Sequence, residues 1–213
     1  MTVLLFGGLI WWITGKPGWQ DLKALLPEQR TEKPASSTGR SSSSSTSSGK
    51  TGAVIDKYKG VAVHYNGAVR TVKGRNVTSD GYNLGLRYQC VEFAKRFYYE
   101  AYGHKMPDSY GHAKDFYDPR VAQGTVNPAR DMLQYKNGGS HRPQKDDLIV
   151  IGPQDFNPYG HLVVVTKASA SEVSFVQQNP GPQNPSRGTW RLEQRGGGWH
   201  VSGSGVLGWL RMK

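Results

Sequence analysis

The sequence predicts an α+β fold in which N-terminal helices pack on an antiparallel sheet. Two patterns carry this. A segment of helical apolar period lies in the first half of the globular part, and short β-branched runs bounded by turn residues crowd the second half. Size sets the frame: 213 residues, 36% hydrophobic and 20% charged, supply one core but not two large ones.

The chain opens on an uninterrupted apolar run, Val3 to Ile13 (VLLFGGLIWWI). This is shorter than the ~20 residues a helix needs to cross a bilayer. Thr14, Gly15 and Trp19 extend it toward an interface, where Trp is favoured. No positive charge precedes the run and no small-residue cleavage site follows it, which argues against a cleaved secretory signal. Residues 1–19 are therefore expected to attach to a membrane, as a marginal anchor, an interfacial segment or the remnant of a longer anchor. Docking on the domain or on a partner is the alternative. Residues 20–53 form a linker whose stretch Ala35 to Gly52 is nearly all Ser, Thr and Gly, a flexible tether with no apolar surface to bury. Residues 54–213 form the globular domain. This layout suits action near a membrane, facing the cell envelope, or secretion.

Within that domain, Val61 to Tyr65 alternates and reads as a strand ended by Asn66-Gly67. Arg75 to Leu86 is rich in turn formers and reads as an irregular loop. A helix is predicted from Cys90 to Tyr102: Val91, Ala94, Phe97, Tyr98 and Ala101 recur at helical spacing, and Gly103 sits where a C-terminal cap belongs. A shorter helix is expected over Gly111 to Tyr117. Strands follow at Leu148 to Ile151, His161 to Thr166, Val173 to Gln178, Thr189 to Leu192 and Val206 to Arg211.

The net charge of +11 favours anionic partners. The basic residues are scattered, with no basic helix or stacking motif, so a nucleic-acid partner is not expected. The single cysteine, Cys90, excludes an intrachain disulfide and a multi-thiolate zinc site.

Cys90 stands where a Gly-rich loop turns into the predicted helix. Unpaired N–H groups and the macrodipole at a helix start favour thiolate over thiol, lowering a pKa of ~8.5. The same N–H groups are placed to hold an oxyanion. Gln89, as a further side-chain donor, and Tyr88 are candidates for contact with the oxyanion or substrate. A base is then needed. His64, His104, His112, His141 and His200 lie in polar or loop contexts, whereas His161 opens an apolar strand after Pro158-Tyr159-Gly160, at the rim of a cleft. A third group should orient its imidazole. If the strands form a hairpin through Ala168 to Glu172, either Gln177 or Asn179 stands opposite His161; the two share a face.

The segments Tyr88-Gln89-Cys90-Val91-Glu92-Phe93-Ala94-Lys95-Arg96, Asp147-Leu148-Ile149-Val150, Gly160-His161-Leu162-Val163-Val164-Val165, Gln178-Asn179-Pro180 and Leu207-Gly208-Trp209-Leu210-Arg211 resemble the CHAP domain, the cysteine, histidine-dependent amidohydrolase/peptidase family. The first is most similar to the amidase half of glutathionylspermidine synthetase/amidase. The resemblance implies a papain-like fold, Cys90 as nucleophile and His161 as base. Its third residue is usually Glu, and Gln177 stands at the matching position. No cofactor and no metal are implied. A monomer acting on peptidoglycan peptides is expected. The alternatives are an amidase on a small conjugate such as glutathionylspermidine, or a silent cell-wall binding module.

Overall fold

A computed structural model describes residues 49–213. The hydrophobic segment 1–19 and the linker up to residue 48 lie outside the described residues. Among the described residues no helix is long and apolar enough to cross a membrane.

Two small hairpins come first: β1 (Val54–Tyr58) with β2 (Val61–His64), and β3 (Arg75–Val77) with β4 (Asn83–Leu86). The second is a correction, because an irregular loop was expected over Arg75 to Leu86. Its strands are short and its turn residues dominate the composition, so alternation is hard to see there. The helix α1 follows as Cys90–Tyr102 and ends at Gly103, whose φ of 65° is the left-handed cap conformation. The expected second helix over Gly111 to Tyr117 is only a 3-10 turn, Ala113–Phe116. Among the described residues, one α-helix against a large sheet, rather than several helices on a sheet, is the observed balance.

The remaining strands are β5 (Thr125–Asn127), β6 (Met132–Lys136), β7 (Leu148–Ile151), β8 (His161–Ala168), β9 (Glu172–Gln177), β10 (Arg187–Arg195), β11 (Gly198–Val201) and β12 (Val206–Arg211). They form one antiparallel sheet in the order β11-β10-β9-β8-β7-β12-β6-β5. Its central strands are apolar on both faces. Leu148, Val150, Leu162, Val164 and Leu210 pack with Phe93, Phe97 and Tyr98 of α1. Ile149, Ile151, Val163, Val165 and Trp209 enter a second core with Phe175, Leu192 and Val201. This second core exists because the sheet curls: Gly139, in the turn after β6, bridges to Trp199 of β11 at the opposite edge. Two covered faces explain why β7 and β8 read as continuous apolar runs rather than alternating ones.

α1 is fixed to the sheet by a buried polar cluster. Glu92 accepts from Arg96 Nε at 2.6 Å, from Asn76 Nδ2 at 2.8 Å and, on its other oxygen, from Gln178 Nε2 at 2.8 Å. Gln178 Nε2 also donates to the carbonyl of Gln89, and Gln178 Oε1 accepts from the His64 N–H. Every charge is paired, which a site this dry requires. The end of β9 is thereby held against the first turn of α1.

Candidate active site

Cys90 is the first residue of α1, and Gln89, in extended conformation at the N-cap, makes no side-chain capping bond. Backbone N–H groups of Leu162, Val91 and Cys90 itself lie on the side of the thiolate, each lowering the thiol's pKa. The Leu162 contact matters most for the geometry, because Leu162 follows His161 at the start of β8. Cys90 and His161 line the same cleft, of about 650 Å³. Gly160 lets the turn before His161 pack closely on its neighbours: its φ of 76° is left-handed, and a Cβ there would meet the carbonyl of Ile151 and the backbone of Lys114.

The β8–β9 hairpin sets the partner of the imidazole. Val163 pairs with Gln177, so Gln177 lies diagonal to His161 on the same face. Gln177 Oε1 is 3.0 Å from His161 Nε2. The amide orientation is fixed by its other end, where Nε2 donates to the carbonyl of Pro185 at 3.0 Å. A carbonyl only accepts, so the oxygen of Gln177 faces the ring, and His161 Nε2 must carry the proton. That tautomer leaves Nδ1 with the lone pair.

Asn179 does not share this task. It leaves the strand with φ of 59°, which breaks the alternation that would have put it beside Gln177. Its Nδ2 donates to the Val69 carbonyl at 2.9 Å and to Gln89 Oε1 at 2.7 Å. Gln89 in turn donates from Nε2 to the carbonyls of Val69 and Thr71. Gln89 lines the cleft, but both its amide hydrogens hold the loop, so it has none free for an oxyanion. Tyr88 does not line the cleft; its ring lies against His64 at a centroid distance of 4.7 Å.

The electrostatics differ from the expected thiolate–imidazolium pair. Burial pushes the Cys90 thiol up to about 11, outweighing the three N–H donors. Burial likewise pulls the His161 imidazole down to about 4, against the Gln177 contact that favours its protonated form. The helix start was expected to win; desolvation of the packed thiol wins instead. Near neutral pH the two groups are therefore a thiol and a neutral imidazole.

Residues 78–179, which contain Cys90, His161, Gln177 and Asn179, match the CHAP domain family model. This segment belongs to the CHAP family. Relatives of the chain include two such proteins. Trypanothione synthetase of Crithidia fasciculata is 29% identical over 106 residues, 50% of this chain and 16% of that protein. The bifunctional glutathionylspermidine synthetase/amidase of Escherichia coli (strain K12) is 31% identical over 107 residues, 49% of this chain and 17% of that protein. The alignments thus span only a small part of either relative. Among solved structures, the endolysin LysIME-EF1 superposes with a TM-score of 0.37 at 20% identity, covering 68% of this chain and 60% of that one. Ly7917 with the hydrolysing product of MDP gives 0.25 at 22% identity, covering 35% of this chain and 30% of that one.

Several residues of the cleft escaped the sequence reading. Arg70, Arg75, Tyr110, His112, Phe156 and Tyr159 line it. Phe156 and Tyr159 are 79% and 51% exposed; two large aromatics in a Pro/Gly/Asn-rich turn beside the candidate base were the available signal. Glu92 and Arg96 were visible as an i,i+4 pair, though nothing in the sequence marked them as buried.

Proposed function

We propose that the domain is a cysteine amidohydrolase/peptidase in which Cys90 attacks an amide carbonyl and His161 Nδ1 is the base. The observation that carries this is the meeting of α1 and β8, where Cys90 and His161 line one cleft and the imidazole Nε2 is tied to Gln177. As Sγ bonds to the amide carbon, its proton passes to Nδ1. Backbone N–H groups at the start of α1 are placed to hold the resulting oxyanion. When the C–N bond breaks, the proton on Nδ1 goes to the leaving amine. Water then attacks the thioester, gives a proton to Nδ1, and Cys90 leaves and recovers it. Gln177 orients the ring, and being neutral it does not compensate an imidazolium as a carboxylate would. Asn179 and Gln89 hold the cleft loop in this account, and no metal or cofactor takes part.

The substrate we favour is a peptide amide of bacterial peptidoglycan, which suits the CHAP family, the basic chain and a tether toward an envelope. A second candidate is a small conjugate such as glutathionylspermidine, favoured by the 31% identity to a protein with that amidase activity in its name. A polycationic substrate fits poorly in a cleft whose charged lining is arginine. Incubating the full chain with purified sacculi and weighing the released fragments tests the first; release of peptides by the wild type and none by Cys90→Ala is expected. Equal release by that variant would exclude the mechanism, and hydrolysis of glutathionylspermidine alone would move the assignment to the second.

A further inference from the structure

The charged lining of the cleft is one-sided. Besides His112 and His161, it contains Arg70 and Arg75 and, among the described residues, no Asp or Glu. Both arginines are exposed. Many cations of this chain sit against a carboxylate, as Arg96, Arg187 and Arg211 do; among the described residues neither Arg70 nor Arg75 has such a partner. Three acids close in sequence to lining residues are engaged elsewhere. Asp115 accepts the His112 N–H at 2.8 Å, Asp108 accepts the Tyr110 N–H at 3.0 Å, and Asp80 is paired with Lys105.

The Arg75 guanidinium is also held in place from behind, and so is the backbone that carries Arg70. Arg75 Nη1 donates to Asn83 Oδ1 at 3.1 Å, and its planar group lies over the Tyr110 ring at 5.5 Å. Asn83 is fixed in turn by donating to the Ser109 carbonyl at 2.8 Å. Arg70 sits between Val69 and Thr71, whose carbonyls both accept from the side chain of Gln89, the residue before the nucleophile. Asn179 donates to Val69 as well. The polar links that withdrew Gln89 and Asn179 from chemistry thus fix the backbone of Arg70 beside Cys90. A guanidinium offers several N–H groups in a fork suited to a carboxylate.

We infer that Arg70 and Arg75 form an anion subsite next to Cys90, which selects amide substrates bearing a carboxylate close to the scissile bond and disfavours polycationic ones. The inference rests on the thiol hydrolase proposed above. It deepens that reading by assigning substrate charge to two residues outside the Cys–His–amide group.

Alkylation of Cys90 in the full chain tests it without a known substrate. Iodoacetate and iodoacetamide share a leaving group and differ in charge. The ratio of their rate constants at Cys90, referred to the same ratio for free cysteine, should be raised roughly five- to tenfold by two guanidinium groups lining the same water-filled cleft. The excess should fall with added salt, vanish in the Arg70→Gln/Arg75→Gln double variant and persist in part in the Arg70→Lys/Arg75→Lys variant, which keeps the charge. A ratio equal to that of free cysteine, or one unchanged in the glutamine variant, overturns the subsite and leaves the hydrolase reading standing. A Cys90 that reacts with neither reagent overturns both.

Discussion

Replacing Gln177 with Glu sets a carboxylate where an amide oxygen now lies 3.0 Å from His161 Nε2. An ion pair at about 4 Å between charge centres is worth ~4 kcal/mol at an effective dielectric of 20. The gain is reduced because the second carboxylate oxygen would face the Pro185 carbonyl, which now accepts from Gln177; facing two acceptors costs about 1–3 kcal/mol. The remainder corresponds to a rise of about one to two units in the His161 pKa, from a starting point pulled down to about 4 by burial. The sign is clear, since a neighbouring anion favours the charged imidazole. Two assays read it. The acid limb of kcat/KM against pH should move up by that amount, because attack needs neutral His161. Iodoacetamide should label Cys90 faster at pH 7, because an imidazolium favours the thiolate. An acid limb that stays in place, with labelling unchanged, would refute the assigned contact between residue 177 and the ring.

Glu92→Ala should destabilise the fold by ~3–5 kcal/mol in urea unfolding, because it leaves the buried Arg96 charge without its carboxylate; a loss below 1 kcal/mol would contradict the buried cluster. His161 is neutral in the fold and has an ordinary value of 6.5 when unfolded. The unfolded chain therefore takes up a proton first, so this contribution is complete above pH 6.5 and is lost as pH falls toward 4. It amounts to at most about 3 kcal/mol, and His161→Gln should flatten that window in urea midpoints measured against pH. Gly208→Ala places a methyl against the Tyr135 carbonyl and the Tyr117 ring; a lowered Tm is expected, and an unchanged one would mean β12 and β6 are not as close as described.

What the sequence disclosed follows from local chemistry. The span of α1 was readable from period and from Gly103, and β7, β8 and β12 from apolar runs ended by turns. The hairpin through Ala168 to Glu172 also stands as expected, and it brings Gln177 to His161. What escaped depends on packing. β1 carries exposed Val54 and Ile55, so its composition gives no inside and outside. β6 is a short Met-Leu-Gln-Tyr-Lys, whose Gln134 is buried only because it bonds Asp118 and Asn127. Alternation placed Gln177 and Asn179 together, and a single left-handed residue separated them, leaving Gln178 as the buried link to α1. The thiol went the same way. A helix start can be seen in a sequence, but the desolvation that opposes it comes from residues far apart in the chain.

The central claim is a covalent one: during turnover the acyl group of the substrate resides on the Cys90 sulfur. Rapid acid quenching of the full chain with purified sacculi, followed by peptide mass measurement, reads it directly. An acyl adduct on the Cys90 peptide is expected, which hydroxylamine removes and which is missing in His161→Ala. Fragment release at full rate with no mass added to Cys90 at any quench time would contradict it.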